Sequence, residues 1–255
     1  MKYHHPVRSF LRSSLNRIRY GKRLGPVFGD FQPADDYDWT QYTEDSYKHE
    51  MASAHHVRRL ADVEWSVFGG RIKTPGDRPL HPMHRIIYET ALELRPNSAF
   101  EAGCGGGDHL ANLKLLMPEL QIDGGDVSKE QLAFARQRNF SNISVSLRQL
   151  DLTKAGAADG IKAEFVYTNA VLMHIHGGDR PLEFVRNLWN ISTRYLLFVE
   201  NWSRHNYLKL FADAIGDKPP YKVEREGVVG ILFAGESMNL PLVKNSSDLF
   251  LTRTE

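Results

Sequence analysis

The stretch "SAFEAGCGGGDHL" (98–110) sets four glycines into positions 103–107, and the exception, Cys104, is the only cysteine in the chain. Glycine is used where the chain must take positive φ or where another group must lie against the main chain, and each one costs conformational entropy. An apolar run that ends in such a cluster and continues into a helical pattern reads as a strand, a tight turn and a helix start shaped around a ligand. Helix N-termini with free N–H groups attract carboxylates and phosphates, so the ligand is expected to present an anionic or strongly accepting group.

Downstream the pattern repeats. In "GDHLANLKLLM" (107–117) Leu110, Leu113 and Met117 share one helical face until Pro118 ends it, and "LQIDGGDV" (120–127) reads as the next strand. "SKEQLAFARQR" (128–138) opens on Ser128 with Gln131 three residues later, the spacing of a capping box. "ISVSLRQLDL" (143–152) and "AEFVYTNAV" (163–171) read as strands, "DRPLEFVRNLW" (179–189) as a helix capped by Asp179, and "RYLLFVENW" (194–202) as a further strand. Strands alternating with helices predict an α/β fold, a Rossmann-like, doubly wound and mostly parallel sheet. Ligands bind such sheets at the carboxyl ends of the strands, where strand order reverses, and the glycine cluster falls there. A dinucleotide site wants G-x-G-x-x-G, but Asp108 stands where the last glycine should be, and an acid beside a pyrophosphate is repelled.

The residues resemble the class I S-adenosylmethionine-dependent methyltransferases. "EAGCGGG" (101–107) is similar to that family's acidic-x-Gly-x-Gly-x-Gly motif, whose loop accommodates the amino-acid part of the cofactor, here Gly103, Cys104 and Gly105. "GGDVSKEQLAFARQR" (124–138) is similar to the second motif, which implies Asp126, with Val127 beside it, at the ribose hydroxyls. "RQLDL" (148–152) is similar to the third, which implies Asp151 at the adenine amino group and the Leu152 amide facing the ring. "FVYTNAVLMHI" (165–175) resembles the fourth, which implies Asn169 in the loop next to the methyl donor. The resemblance implies a seven-stranded sheet over residues 80–255, with S-adenosylmethionine as cofactor; composition and charge set residues 1–79 apart as an N-terminal extension and helical cap, a basic amphipathic helix followed by an acidic linker.

The residue types suit these roles. A carboxylate has acceptor oxygens for both ribose hydroxyls, so Asp126 is apt at a strand end. Glu101, on a strand expected to be buried, needs a partner, and the cofactor's ammonium would provide one. Cys104, with no second cysteine and no nearby base, is expected to contribute its backbone.

Methyl transfer to oxygen requires alignment and removal of the hydroxyl proton. His174 is the first candidate for a base or acceptor-orienting group, with Glu200 and His205 of "VENWSRH" (199–205) as further catalytic candidates. The alternatives are that His174 packs or caps its loop and that Glu200 holds its own. Some related quinone-precursor O-methyltransferases hold a metal with Glu-x-x-Glu-His here; Ala170, Met173 and His174 replace it, so no metal is expected. The Asn-Pro-Pro-aromatic motif of base-amino and protein-amide methyltransferases is also replaced, by Asn169, Ala170 and Val171, and a nucleic-acid acceptor is not expected.

The expected acceptor is a small molecule or glycan. The stretch 169–201 resembles methyltransferases found with bacterial surface-polysaccharide biosynthesis, and Trp39, Tyr42, Tyr47, Trp65 and Trp202 offer stacking faces for a sugar. An amine or natural-product acceptor is the alternative, and a non-catalytic binding subunit with this fold is a second.

Composition sets the frame. Of 255 residues, 42% are hydrophobic and 25% charged, and the net charge is +1, which gives no global nucleic-acid signature. A single cysteine forms no internal disulfide, no apolar run approaches a membrane span, and the start lacks a secretory hydrophobic region, so a cytoplasmic setting is expected. Residues 1–29 hold seven Lys and Arg and no acid, with Val7, Phe10, Leu11, Leu15 and Ile18 at helical spacing. Such a helix packs on the domain or on a second copy in a homo-oligomer, lies peripherally on an anionic inner membrane face, or is a transit peptide.

Overall fold

The computed structural model describes residues 59–76, 80–139, 145–200 and 207–215 and the strands 221–222, 224–226, 230–232 and 248–253. The basic stripe of residues 1–29, Trp39, Tyr42, Tyr47, Trp202 and His205 lie outside the described residues.

A 3-10 turn (Leu60–Asp62) and a hairpin, β1 (Ser66–Phe68) and β2 (Arg71–Lys73), lead into α1 (Pro82–Leu94), whose start is capped by His81 Nδ1 accepting from the Met83 amide. Then follow β3 (Ser98–Ala102), α2 (Asp108–Leu116), β4 (Gln121–Asp126), α3 (Lys129–Asn139), β5 (Ser146–Gln149), β6 (Ala163–Asn169), α4 (Arg180–Ile191) and β7 (Ser192–Val199). Helix α5 (Tyr207–Ile215) and the short strands β8 (Tyr221–Lys222), β9 (Glu224–Glu226), β10 (Gly230–Leu232) and β11 (Asp248–Arg253) complete the described chain. Ser128 Oγ accepts from the Gln131 amide at 3.1 Å, the expected cap. Asp179 occupies the cap position of α4, but its side chain makes no capping bond; its backbone carbonyl accepts from Glu183 instead.

Strands β5-β4-β3-β6-β7 form a parallel five-stranded core, regular except for a register shift between Ala163 and Phe165 where β6 meets β7. Strand β11 joins antiparallel at β7, and β10, β9 and β8 extend that edge. The resemblance implies seven strands; the described residues form a nine-stranded sheet, in which the edge beyond β7 is made of four strands, three of them only two or three residues long.

The period of two decides the layers. Phe165, Tyr167, Tyr195, Leu197 and Val199 face one side and pack with Ile87, Tyr88 and Ala91 of α1 and Leu110 and Leu113 of α2. Phe100, Val166, Leu196 and Phe198 face the other and meet Phe184, Val185, Leu188 and Ile191 of α4 and Phe211 of α5. A sheet covered on both faces has near-continuous apolar strands, as "FVY" and "YLLFV" are. Leu60 and Ile72, upstream of the boundary expected at residue 80, are buried in the first layer. Among the described residues no helix is long and apolar enough to cross a membrane.

Strand β4 must be bare where α2 and the glycine loop lie on it. A Cβ on Gly124 would stand 2.7 Å from Leu110 Cδ1 and 3.0 Å from both Cβ and Sγ of Cys104. Gly124→Ala should therefore lower the unfolding free energy by about 1–3 kcal/mol in urea titration, the usual range for overpacking; an unchanged midpoint would mean that α2 and the loop shift aside freely.

Candidate functional site

Strand order reverses between β3, which runs to β4 on one side and pairs with β6 on the other, and the loop leaving β3 lies at this switch point. The main-chain N–H groups of Gly103 and Cys104 both donate to the Gly125 carbonyl, at 2.7 and 3.1 Å. Gly103 takes φ +73°, and a Cβ there would come within 2.3 Å of Val171 Cγ2, so only glycine fits between this loop and the loop after β6. The turn closes with the Gly107 amide on the Cys104 carbonyl at 2.8 Å, and α2 starts.

Asp126 ends β4. Its Oδ2 accepts from the Gly105 amide and its Oδ1 from the Ser128 amide, both at 2.8 Å, so one carboxylate ties the glycine loop to the start of α3 and keeps acceptor capacity on each oxygen. Burial raises its carboxyl above the ordinary value against the opposing pull of these two amides. Glu101, 2% exposed, is pushed up well beyond its ordinary value by burial, against the Tyr167 hydroxyl that donates to its Oε2 at 3.2 Å, with Asp108 and Asp126 adding repulsion. Three carboxylates converge on one loop. That charge pattern and the remaining acceptors fit a cationic ligand that also bears hydroxyls. Burial, with Asp126 and Glu101, pushes the Cys104 thiol up, which makes it inert as a nucleophile.

Beyond β5, Asp151 Oδ1 accepts from the amide and hydroxyl of Thr153 at 3.1 and 2.6 Å, and Lys154 Nζ lies 3.3 Å from Oδ2. Partial burial acts against these contacts, yet they hold its carboxyl below the ordinary value. Leu152 is buried beside it, whereas Val127 is 49% exposed at the end of β4.

The loop after β6 is held by Glu200, which is 0% exposed at the end of β7. Its Oε1 accepts from Thr168 Oγ1 at 3.3 Å and the Val171 amide at 3.0 Å, and its Oε2 from the Met173 amide at 3.2 Å. These bonds fasten the 3-10 turn Leu172–His174, reached through Ala170 at φ +54°. Of the two roles expected of Glu200, holding the loop is the one its hydrogen bonds carry. His174, half-buried, is carried on this turn and its amide donates to the Val171 carbonyl at 2.9 Å. His205 lies outside the described residues, and Trp65, half-buried, packs against the core.

Sequence reasoning missed a polar cluster under the glycine loop. His109 and Asn112 of α2 and Tyr88 and His84 of α1 are all buried. Tyr88 Oη lies 2.7 Å from His109 Nδ1, and the Asn169 side chain lies 3.3 Å from His109 Nε2. His84 and His109 meet edge to face with centroids 5.0 Å apart. The signal was available in "GDHLANL" (107–113), where a histidine and then an asparagine fall beside Leu110 and Leu113 on one helix face.

A family profile described as a methyltransferase domain matches residues 99–191, from β3 to the end of α4. Comparison with curated proteins gives no match. Among solved structures, the N-methyltransferase NodS from Bradyrhizobium japonicum WM9, in complex with S-adenosyl-L-homocysteine, is 15% identical with a TM-score of 0.50 over 83% of this chain and 98% of that one. StiE O-MT is 18% identical with a TM-score of 0.44 over 56% of this chain and 52% of that one, so the chain spans about half its length. CalS10, an amino pentose methyltransferase from Micromonospora echinaspora with S-adenosylmethionine bound, is 17% identical with a TM-score of 0.41 over 57% and 59%. The profile match marks a methyltransferase domain over residues 99–191, and the NodS comparison shows that the chain shares that enzyme's fold.

Burial raises the Glu200 carboxyl from 4.5 to about 7, against the opposing hydrogen bonds from the Val171, Met173 and Leu172 amides and from Thr168. The folded chain thus keeps a proton that the unfolded chain has released. The stability this group contributes is full below about 4.5 and declines as pH rises toward about 7. Glu200→Gln should remove that part of the slope between about pH 5 and about pH 7 in urea unfolding; identical slopes in the two proteins would contradict the assignment.

Proposed function

We propose that the chain transfers the methyl group of S-adenosylmethionine to a hydroxyl oxygen of a small-molecule or glycan acceptor, a sugar hydroxyl foremost, with His174 as the base. The observation that carries the reading is the convergence of Glu101, Asp108 and Asp126 on the glycine loop at the switch point. A dinucleotide pyrophosphate would be repelled there, and a cationic sulfonium and ammonium would be favoured.

In this reading the main chain of Gly103, Cys104 and Gly105 lies along the amino-acid part of the cofactor, and Glu101 offsets its ammonium. Asp126 accepts from the ribose hydroxyls with its remaining lone pairs. Val127, exposed at the strand end, gives the adenine an apolar side, and Asp151 and the Leu152 amide read its edge. The bound sulfonium supplies an activated methyl with a good leaving group. The protein's own task is to align the acceptor oxygen and take its proton. His174 is fit for that because Glu200 clamps the backbone of the turn that carries it to the end of β6. A sugar hydroxyl is a weak acid, so a positioned base is worth more for it than for a neutral amine.

Asp126→Ala should weaken binding of S-adenosylhomocysteine by about 1.5–3 kcal/mol in calorimetry, the usual worth of hydrogen bonds to a charged group; unchanged affinity would remove Asp126 from the ribose. His174→Ala should leave cofactor affinity unaltered and lower turnover about 100-fold or more when labelled methyl transfer is followed on cell extracts and lipid-linked sugars. A folded His174→Ala chain that keeps most of the rate would make His174 structural. Transfer only to amines would favour the amine acceptor, and cofactor binding with no transfer to any fraction would favour a non-catalytic subunit.

A further inference from the structure

An unbroken chain of buried polar groups runs beneath the glycine loop. The Leu60 amide donates to Asn112 Oδ1 at 2.7 Å, Asn112 Nδ2 donates to the Tyr88 hydroxyl at 2.7 Å, that hydroxyl lies 2.7 Å from His109 Nδ1, and His109 Nε2 lies 3.3 Å from the Asn169 carboxamide. Its directions follow from the Leu60 end. A backbone amide only donates, so the Asn112 oxygen faces Leu60 and the Asn112 NH2 faces Tyr88. The phenol keeps its proton, since burial pushes its ionisation well above the ordinary value. Having accepted from Asn112, it gives its own hydrogen to His109 Nδ1.

Burial, with His84 close by, holds the His109 ring well below its ordinary value and hence neutral. With Nδ1 accepting, the ring proton sits on Nε2 and needs an acceptor. The structure sets Asn169 Nδ2 at that 3.3 Å position, and since the O and N of a carboxamide are interchangeable in placement, the donor direction of the chain requires the amide turned over, with its carbonyl oxygen facing the ring. The NH2 turns to the other position of the carboxamide, the one that is buried and has no hydrogen-bond partner within the protein. The opposite tautomer would leave two groups unsatisfied, the phenol hydrogen and the Asn169 oxygen, and each buried unsatisfied group is costly.

Asn169 is the last residue of β6, on the same face as Tyr167, whose hydroxyl holds Glu101. Its neighbour Thr168 is in register with Ala102, the residue that leads into the glycine loop. The open NH2 thus stands at the carboxyl end of the sheet, on the Glu101 side. An amino-acid group bound there has two ends of opposite charge. The ammonium is served by the acids, and the carboxylate needs a donor that is not itself among them.

We propose that Tyr88 and His109 are positioning residues that present Asn169 as a hydrogen-bond donor to the carboxylate of the cofactor's amino-acid part, a proposal that rests on the cofactor reading above. The test uses the full chain with two probes, S-adenosylhomocysteine and methylthioadenosine, which shares the nucleoside and lacks the amino acid. Asn169→Ala should weaken S-adenosylhomocysteine about tenfold and leave methylthioadenosine unchanged. Tyr88→Phe should act in the same direction by about threefold. Long-range proton–nitrogen NMR of histidine-labelled protein should show His109 as the Nε2–H tautomer in the wild type and as a mixture in Tyr88→Phe. The proposal is overturned by equal losses for both probes, by unchanged S-adenosylhomocysteine affinity in folded Asn169→Ala, or by an Nδ1–H wild-type ring. A wild-type chain that binds neither probe overturns the cofactor reading itself; one that binds both equally well overturns only the carboxylate contact.

Discussion

Both oxygens of Asp126 are committed to main-chain N–H groups, from Gly105 in one loop and Ser128 in the next, at 2.8 Å each. This double contact binds the ends of β3 and β4 into one surface, and the Gly125 carbonyl reinforces it by accepting from Gly103 and Cys104. The arrangement works only because the strand beneath is bare, with Gly124 under Leu110 and Cys104 and Gly125 against Phe100 and Leu150. It also concentrates negative charge. Glu101 and Asp126 are both raised by burial, so the fold carries an electrostatic cost that a bound cation would relieve.

The loop facing the glycine turn is held by a different carboxylate. Glu200 is buried at the end of β7 and spends both oxygens on Thr168 and the amides of the turn after β6. Val171 of that turn fills the space that a side chain on Gly103 would need, so the two loops touch. Asp126 fixes the glycine loop, Glu200 fixes the turn that carries His174, and the close approach of Gly103 to Val171 sets the distance between them.

Much of this was legible in the sequence because strand ends announce themselves. The glycine cluster after "SAFEA", Asp126 after "QIDGG" and the Ser128 cap all sit where an apolar run meets a turn, and local chemistry fixes such positions. What was not legible depends on contacts distant in sequence. Tyr88 and His109 are 21 residues apart and read as ordinary helix residues until α1 and α2 pack together. Glu200 read equally as an acceptor contact or a loop brace, because only the fold brings β7 against the turn after β6. The edge beyond β7 escaped for another reason: three of its four strands are only two or three residues long and take their place by pairing with β11 and with each other.

The central claim is that the acids around the glycine loop select a cationic amino-acid nucleoside over an anionic dinucleotide. Equilibrium dialysis of the wild-type chain against S-adenosylmethionine and against NADH tests it most directly. The account predicts saturable binding of S-adenosylmethionine that weakens as protonation neutralises the carboxylates, with no measurable binding of NADH; tight NADH binding with none of S-adenosylmethionine would contradict it.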